Sequence, residues 1–87
     1  MEEYTVYILG SERKSAWSYV GSTSNIDQRL KDHESGKTKS TKAYRPLKII
    51  HTETYASFEE ARKRELYLKT GFGREEKKNI VRYSGIV

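Results

Sequence analysis

Arg29 and His33 stand four residues apart in a segment, IDQRLKDHE, whose pattern is that of an amphipathic helix, so both fall on one helical face. A guanidinium grips a phosphate in a planar, bidentate way, and an imidazole beside it moves protons near neutral pH. The competing reading of such a pair is a solvated helix face. Glu65 raises a sharper question. At 100° per residue, Phe58, Ala61 and Leu68 fall within one arc of roughly 80°, and Glu65 lies inside it. A carboxylate on the apolar stripe of a small core is costly unless paired or bound to a metal. It either meets a nearby arginine at the stripe's edge or faces a site able to hold a hard divalent cation. Tyr7 and Tyr19 add two phenols, which need cations or a metal nearby to act as bases because their free pKa is ~10. Otherwise they are sheet tyrosines filling a core. Gly21 permits a close backbone approach or an unusual turn. The run GSTSN before the helix resembles a simple anion site at a helix N-terminus, without the lysine or spacing of a phosphate-binding loop.

Positioning these groups requires a small set of elements. Tyr4 to Leu9, YTVYIL, is β-branched and aromatic and predicts a strand. The polar GSERKSAW predicts a loop, and SYVGS a second strand in an antiparallel hairpin. Ser24 or Asn25 caps a helix from about Ile26 to Ser35, with Asp27 in its first turn, Ile26 and Leu30 anchoring it to the sheet, and Gly36 ending it. The basic KTKSTKAYR predicts a loop, and PLKIIHTETY a third strand opened by its proline. Ser57 with Glu60 forms a capping box for a helix that reaches about Thr70 and stops at Gly71. REEKKNIVRY predicts a last short helix. The expectation is one α+β domain over residues 1–87, with a three-stranded mixed or antiparallel sheet flanked by helices in the order β-β-α-β-α-α.

Composition bounds what such a domain does. Apolar residues are 34% and charged residues 33% of the 87, so the core is small, while mixed charge signs and few prolines argue against disorder. The absence of cysteine excludes a disulfide framework and a thiolate zinc site and fits a reducing, cytoplasmic setting. The opening MEEYTVYILG has the wrong polarity for a signal peptide, and no run approaches the ~18–20 apolar residues of a membrane span. A net charge of +5 favours a polyanionic partner, of which phosphate is the commonest.

The order of these elements changes their weight. VYI around Tyr7, YVG around Tyr19 and Gly21, then Arg29, His33 and Glu65 in ARKRELYLK resemble the GIY-YIG nuclease family. The likeness is to small stand-alone members related to the excision-repair nuclease domain, and it runs from about Tyr4 to about Val81. It implies a divalent-metal-dependent DNA endonuclease in repair or recombination. Glu65 is then the ligand of one Mg²⁺ or Mn²⁺, Tyr7 orients or deprotonates the attacking water, and His33 takes the proton. Tyr19 bonds the water or a phosphate oxygen, Arg29 stabilises charge at phosphorus, and Gly21 lets the strand turn into the helix. The family's asparagine that shapes the metal site has Asn79 as its one candidate, and the lysine after the glycine is replaced by Ser22. Lys37, Lys39, Lys42, Arg45 and Lys69, with Arg62 and Arg74 as further candidates, are the expected DNA contacts, giving salt-dependent affinity with little sequence preference. Target choice would come from a protein partner or from DNA structure.

Two other readings compete. One is a DNA- or RNA-binding module that kept this fold without catalysis, against which the intact set of five residues argues. The other is a protein-interaction domain whose basic charge serves solubility. Binding to DNA without cleavage in Mg²⁺ separates the first from the nuclease, and absence of salt-sensitive binding favours the second.

Overall fold

The apolar run Val6-Tyr7-Ile8-Leu9 is buried on both sides, which only the middle strand of a covered sheet allows. In a computed structural model, which describes residues 3–86, this run forms β1 (Tyr4–Ser11) between β2 (Ser18–Thr23) and β3 (Leu47–Tyr55). The sheet order is β2-β1-β3 and both pairings are antiparallel, so of the two sheet types expected it is the antiparallel one. The helices are α1 (Ile26–Glu34), α2 (Lys39–Lys42), α3 (Phe58–Leu68) and α4 (Gly71–Ile86).

Strand alternation divides the core in two. Val6, Ile8 and Val20 face Ala61 and Leu68 of α3, with Ile80 and Val81 of α4 behind them. Tyr7 and Leu9 point to the other side, with Leu47, and are covered by Ile26 and Leu30 of α1 and by Trp17, Tyr19 and Tyr44. Full burial of each large aliphatic side chain contributes ~1.5–3 kcal/mol, so Ile8, Leu9 and Leu68, all fully buried, weigh heavily in a domain this small. The β1–β3 register shifts between Ile8 and Leu9, leaving Ile50 as the extra residue of a bulge.

Three local features differ from the sequence expectation. The segment expected as a loop after Gly36 contains α2, a single turn with no side-chain cap bond at Thr38; it is held by tertiary contacts, chiefly Thr41 on α1 and Tyr44 stacked at 4.3 Å on Trp17. The last helix begins at Gly71, earlier than expected, because the Thr70 hydroxyl accepts from the Gly73 amide directly after α3 ends. Phe58 is 58% exposed rather than part of the buried stripe, since it opens α3 beside its Ser57 cap and meets only Tyr4 edge-on. The other caps agree: Asn25 accepts from Gln28 N, Ser57 accepts from Glu60 N, and Gly36 takes the left-handed φ of 83° that ends α1.

Candidate active site

The second buried layer holds a directed chain of hydrogen bonds. The Thr41 hydroxyl donates to the Thr38 carbonyl at 3.3 Å, so toward His33 Nδ1, 2.9 Å away, it accepts. With the His33 proton on Nδ1, the tautomer that this donation by Thr41 favours, the bare Nε2 accepts from the Tyr7 hydroxyl at 2.9 Å. Tyr7 Oη in turn accepts from Arg29 Nε at 3.4 Å. Burial, then the charge of Arg29, lowers the His33 pKa and keeps the ring neutral, as an acceptor must be. Burial raises the Tyr7 pKa, against the opposing pull of the Arg29 hydrogen bond, so the phenol keeps its proton at rest.

Gly21 exists for this phenol. It pairs directly with Tyr7 across the β1–β2 ladder, and a Cβ there would lie 2.5 Å from Tyr7 Oη and 2.6 Å from Cζ. Its backbone is ordinary strand, since Gly36 is the one glycine of positive φ among the described residues, and β2 continues to Thr23. Of the two roles expected of Gly21, a close backbone approach or an unusual turn, the structure shows the close approach, of the Tyr7 ring to the strand. Tyr19 packs beside Tyr7 with ring centroids 6.4 Å apart and meets His33 edge-on at 5.3 Å, but it keeps partial exposure where Tyr7 has almost none.

Glu65 approaches from the opposite layer, over the edge strand β2. Its Oε1 accepts from the Ser22 hydroxyl at 2.6 Å and lies 3.4 Å from Arg62, while Oε2 accepts from Lys69 Nζ at 2.8 Å. Burial by itself raises a carboxyl pKa, but the bonds from Lys69 and Ser22, with Arg62 beside them, hold Glu65 below its usual value and ionised. The same Lys69 ammonium stands 5.9 Å from the Tyr19 ring centroid, which joins the two halves of the site around the strand edge. Glu65 and Ser22 present hard oxygen donors that suit Mg²⁺ or Mn²⁺. Among the described residues no three His, Cys, Asp or Glu side chains gather into a metal cluster, and the carboxylate of this arrangement is Glu65.

The expected phosphate contacts separate by geometry. Lys39 and Lys42 are exposed on α2, and Lys37 lies 3.7 Å from Asp32 with most of its side chain in solvent. Arg45 is tied down instead: Nε donates to the Lys42 carbonyl and Nη1 to the Glu34 carbonyl, clamping the turn around Gly36. Lys69 belongs to Glu65, and Asn79 is exposed on α4, outside the hydrogen bonds of the site. Arg74, a further candidate from the sequence, shares one helical face of α4 with Lys77 and Lys78, which sequence reasoning left unnamed. Lys77 is partly buried, and its burial, with the nearby charges of Arg74, Lys78 and Lys69, depresses its pKa. Thr41 was likewise missed, because it sat in a stretch expected as loop and its contact with His33 is made only by folding. Ser22 figured only as an absent lysine, yet it supplies the shortest bond to Glu65.

Comparison with known proteins bears on this arrangement. The family profile described as "GIY-YIG catalytic domain" matches residues 3–79. A UPF0213 protein of Syntrophus aciditrophicus is 39% identical over 84 residues, covering 94% of this chain and 93% of its own. A UPF0213 protein of Staphylococcus haemolyticus is 35% identical, covering 93% and 96%. The solution structure of a UPF0213 protein from Bacillus halodurans superimposes with a TM-score of 0.53 at 31% identity, over 90% of this chain and 84% of the other.

Proposed function

The chain belongs to the GIY-YIG family of nuclease domains, and from that premise we propose that it hydrolyses phosphodiester bonds of DNA with a divalent cation held at Glu65. The observation that carries this reading is the convergence of Arg29 and His33 on the buried Tyr7 hydroxyl. A structural tyrosine needs one partner; this one has a cationic donor on one side and a neutral proton acceptor on the other.

The proton path follows from those bonds. Water attacks phosphorus, a P–O bond forms, and the bond to the leaving oxygen breaks, the leaving oxyanion taking its proton from solvent. Tyr7 takes the proton of the water as its own passes to His33 Nε2, so no phenolate has to stand free at neutral pH. A base positioned in this way contributes roughly 10²–10⁴-fold. His33 Nδ1–H stays on Thr41, which fixes the ring and its tautomer. Arg29, charged and hydrogen-bonded to Tyr7, stabilises negative charge gathering on the phosphate oxygens. Tyr19, the more accessible phenol, offers its hydroxyl to the water or to a phosphate oxygen. Glu65 would hold the divalent cation, which would supply charge neutralisation at the phosphate and leaving oxygen. Exposed Lys37, Lys39 and Lys42 hold the backbone of the DNA without reading its bases. No helix among the described residues is long and apolar enough to cross a membrane. We assign DNA structure or a protein partner as the source of target choice.

The test is cleavage of supercoiled plasmid and branched DNA at low salt with Mg²⁺, Mn²⁺ or chelator, with Glu65→Gln beside the parent protein. Metal-dependent cutting that disappears in the variant is expected. Undiminished cutting by Glu65→Gln overturns the assignment of the metal, and DNA binding without cutting by either protein moves the reading to a binding module.

A further inference from the structure

Both carboxylate oxygens of Glu65 are engaged by the protein itself, and the one on Oε2 is a cation. Lys69 reaches it from the next turn of α3, 2.8 Å away, and its side chain is 45% exposed while that of Glu65 is 8% exposed. An ammonium in that place neutralises the carboxylate as a metal would, and a metal entering at Oε2 has to displace it. Lys69 is also the inner end of a cationic row. α4 follows α3 directly, with the Arg74 amide donating to the Thr70 carbonyl at 2.8 Å, so Lys69 adjoins the helix that carries Arg74, Lys77 and Lys78, and its charge acts with theirs on Lys77. Lys78 has a distant, exposed partner in Glu75 at 3.7 Å, whereas Arg74 and Lys77 make no ion pair among the described residues. A row of cations that starts at the counter-ion of one carboxylate and continues along α4 is a place that gains from an incoming anion with spread charge.

Resting on the nuclease reading above, we propose that Lys69, Arg74 and Lys77 form a site for a backbone phosphate of the nucleic acid, and that a phosphate there draws Lys69 off Glu65 and opens the carboxylate to the divalent cation. Metal uptake is thereby coupled to substrate. In the free protein the lysine holds the place and metal affinity is low. On the nucleic acid the ammonium exchanges one anion for another, and the phosphate adds oxygen ligands that a lone carboxylate lacks. Linkage makes the effect reciprocal: metal at Glu65 frees Lys69 for phosphate and tightens DNA binding by the same factor.

The experiment reads the Ser22 amide resonance, next to Glu65, for broadening by paramagnetic Mn²⁺. The full chain is titrated with and without a short phosphorothioate duplex. Lys69→Met is expected to broaden at Mn²⁺ concentrations lower by about tenfold or more without the duplex. The parent protein shifts the same way only when the duplex is added, and Arg74→Met with Lys77→Met removes that shift. If Lys69→Met titrates like the parent while Glu65→Gln abolishes broadening in both, Lys69 does not compete and the coupling is overturned, with the metal at Glu65 intact. If the duplex shifts the Arg74/Lys77 double variant as it shifts the parent, the row is not the phosphate site. Broadening that persists unchanged in Glu65→Gln removes the metal from Glu65, and with it the reading on which the coupling rests. Lys69 and Arg74 are exposed and Lys77 partly so, and the amide spectrum of each variant reports directly that the fold is kept.

Discussion

The Tyr7 hydroxyl lies 2.9 Å from His33 Nε2 across 26 residues of chain, and neither side chain is more than 1% exposed. The bond fastens the middle strand to α1 at the one point where the sheet is thinned by Gly21. A buried phenol and a buried imidazole each need a partner, so they satisfy one another, while Arg29 and Thr41 close the two ends of the chain. These three bonds, with the bond from the Thr41 hydroxyl to the Thr38 carbonyl, stabilise the layer and favour the Tyr7 proton on the side that faces His33.

Gly21→Ala places a methyl 2.5 Å from Tyr7 Oη, in a ring that is 1% exposed and hydrogen-bonded to both His33 and Arg29. A loss of ~1–3 kcal/mol in unfolding free energy is expected. In a Tyr7→Leu background the same substitution should cost much less. A double-mutant cycle by urea denaturation measures the difference; additive effects would show that the methyl clashes with something else.

Thr41→Val keeps the shape of the side chain and removes the acceptor of His33 Nδ1–H. A buried donor left unpaired costs ~1–3 kcal/mol, and the ring becomes free to change tautomer. Thermal unfolding should drop for Thr41→Val and largely recover for Thr41→Ser. The ¹⁵N shifts of the His33 ring distinguish the tautomers, and an unchanged Nδ1–H form in the valine variant would contradict the assigned bond direction.

The pH dependence follows from the direction of the His33 shift. Its folded pKa is below the ordinary 6.5, so the unfolded chain takes the proton first. The stability held by the neutral ring is complete above the ordinary value and fades as pH falls through the folded one. Cleavage should keep its rate below pH 6.5 and lose it only on reaching the folded pKa, where the charged ring no longer accepts from Tyr7. An NMR titration of His33 giving a value above 6.5 would contradict this.

Glu53 on β3 anchors a separate ion-pair network. Arg64 of α3 grips it at 2.8 and 3.0 Å, Tyr55 and His51 add hydrogen bonds, and Arg64 also bonds Glu76 of α4. Burial opposes its charge, yet these partners bring its pKa to about 2. The depressed value means stability that is present above the ordinary 4.5 and lost as pH falls toward 2. Glu53→Gln should lower stability at pH 7 by about 2–3 kcal/mol. It should also flatten the loss between pH 4.5 and 2, as read by denaturation at stepped pH.

Sequence by itself determined the strands, the main helices and the identity of the reactive groups, because those depend on local pattern. VYIL alternates into two faces whatever lies around it, Asn25 and Ser57 cap helices through bonds three residues away, and Gly36 ends one through its own φ. The resemblance of VYI, YVG, Arg29, His33 and Glu65 to a nuclease family was likewise legible in order and spacing. Only tertiary structure decided what each group does. Gly21 is a glycine because of a ring on the neighbouring strand, not because of its own backbone. Thr41 matters because folding brings α2 against His33, and Arg45 is a clamp because two carbonyls wait for it. Lys69 is a counter-ion because α3 sets Glu65 against the β2 edge. The Glu65–Lys69 and Arg45–Lys42 pairs are one turn apart and lie within reach of local pattern, but the contacts of Gly21, Thr41, Ser22 and Glu34 join residues 8 to 43 apart or on neighbouring strands, and no local periodicity encodes a distance that only the packed sheet and helices create.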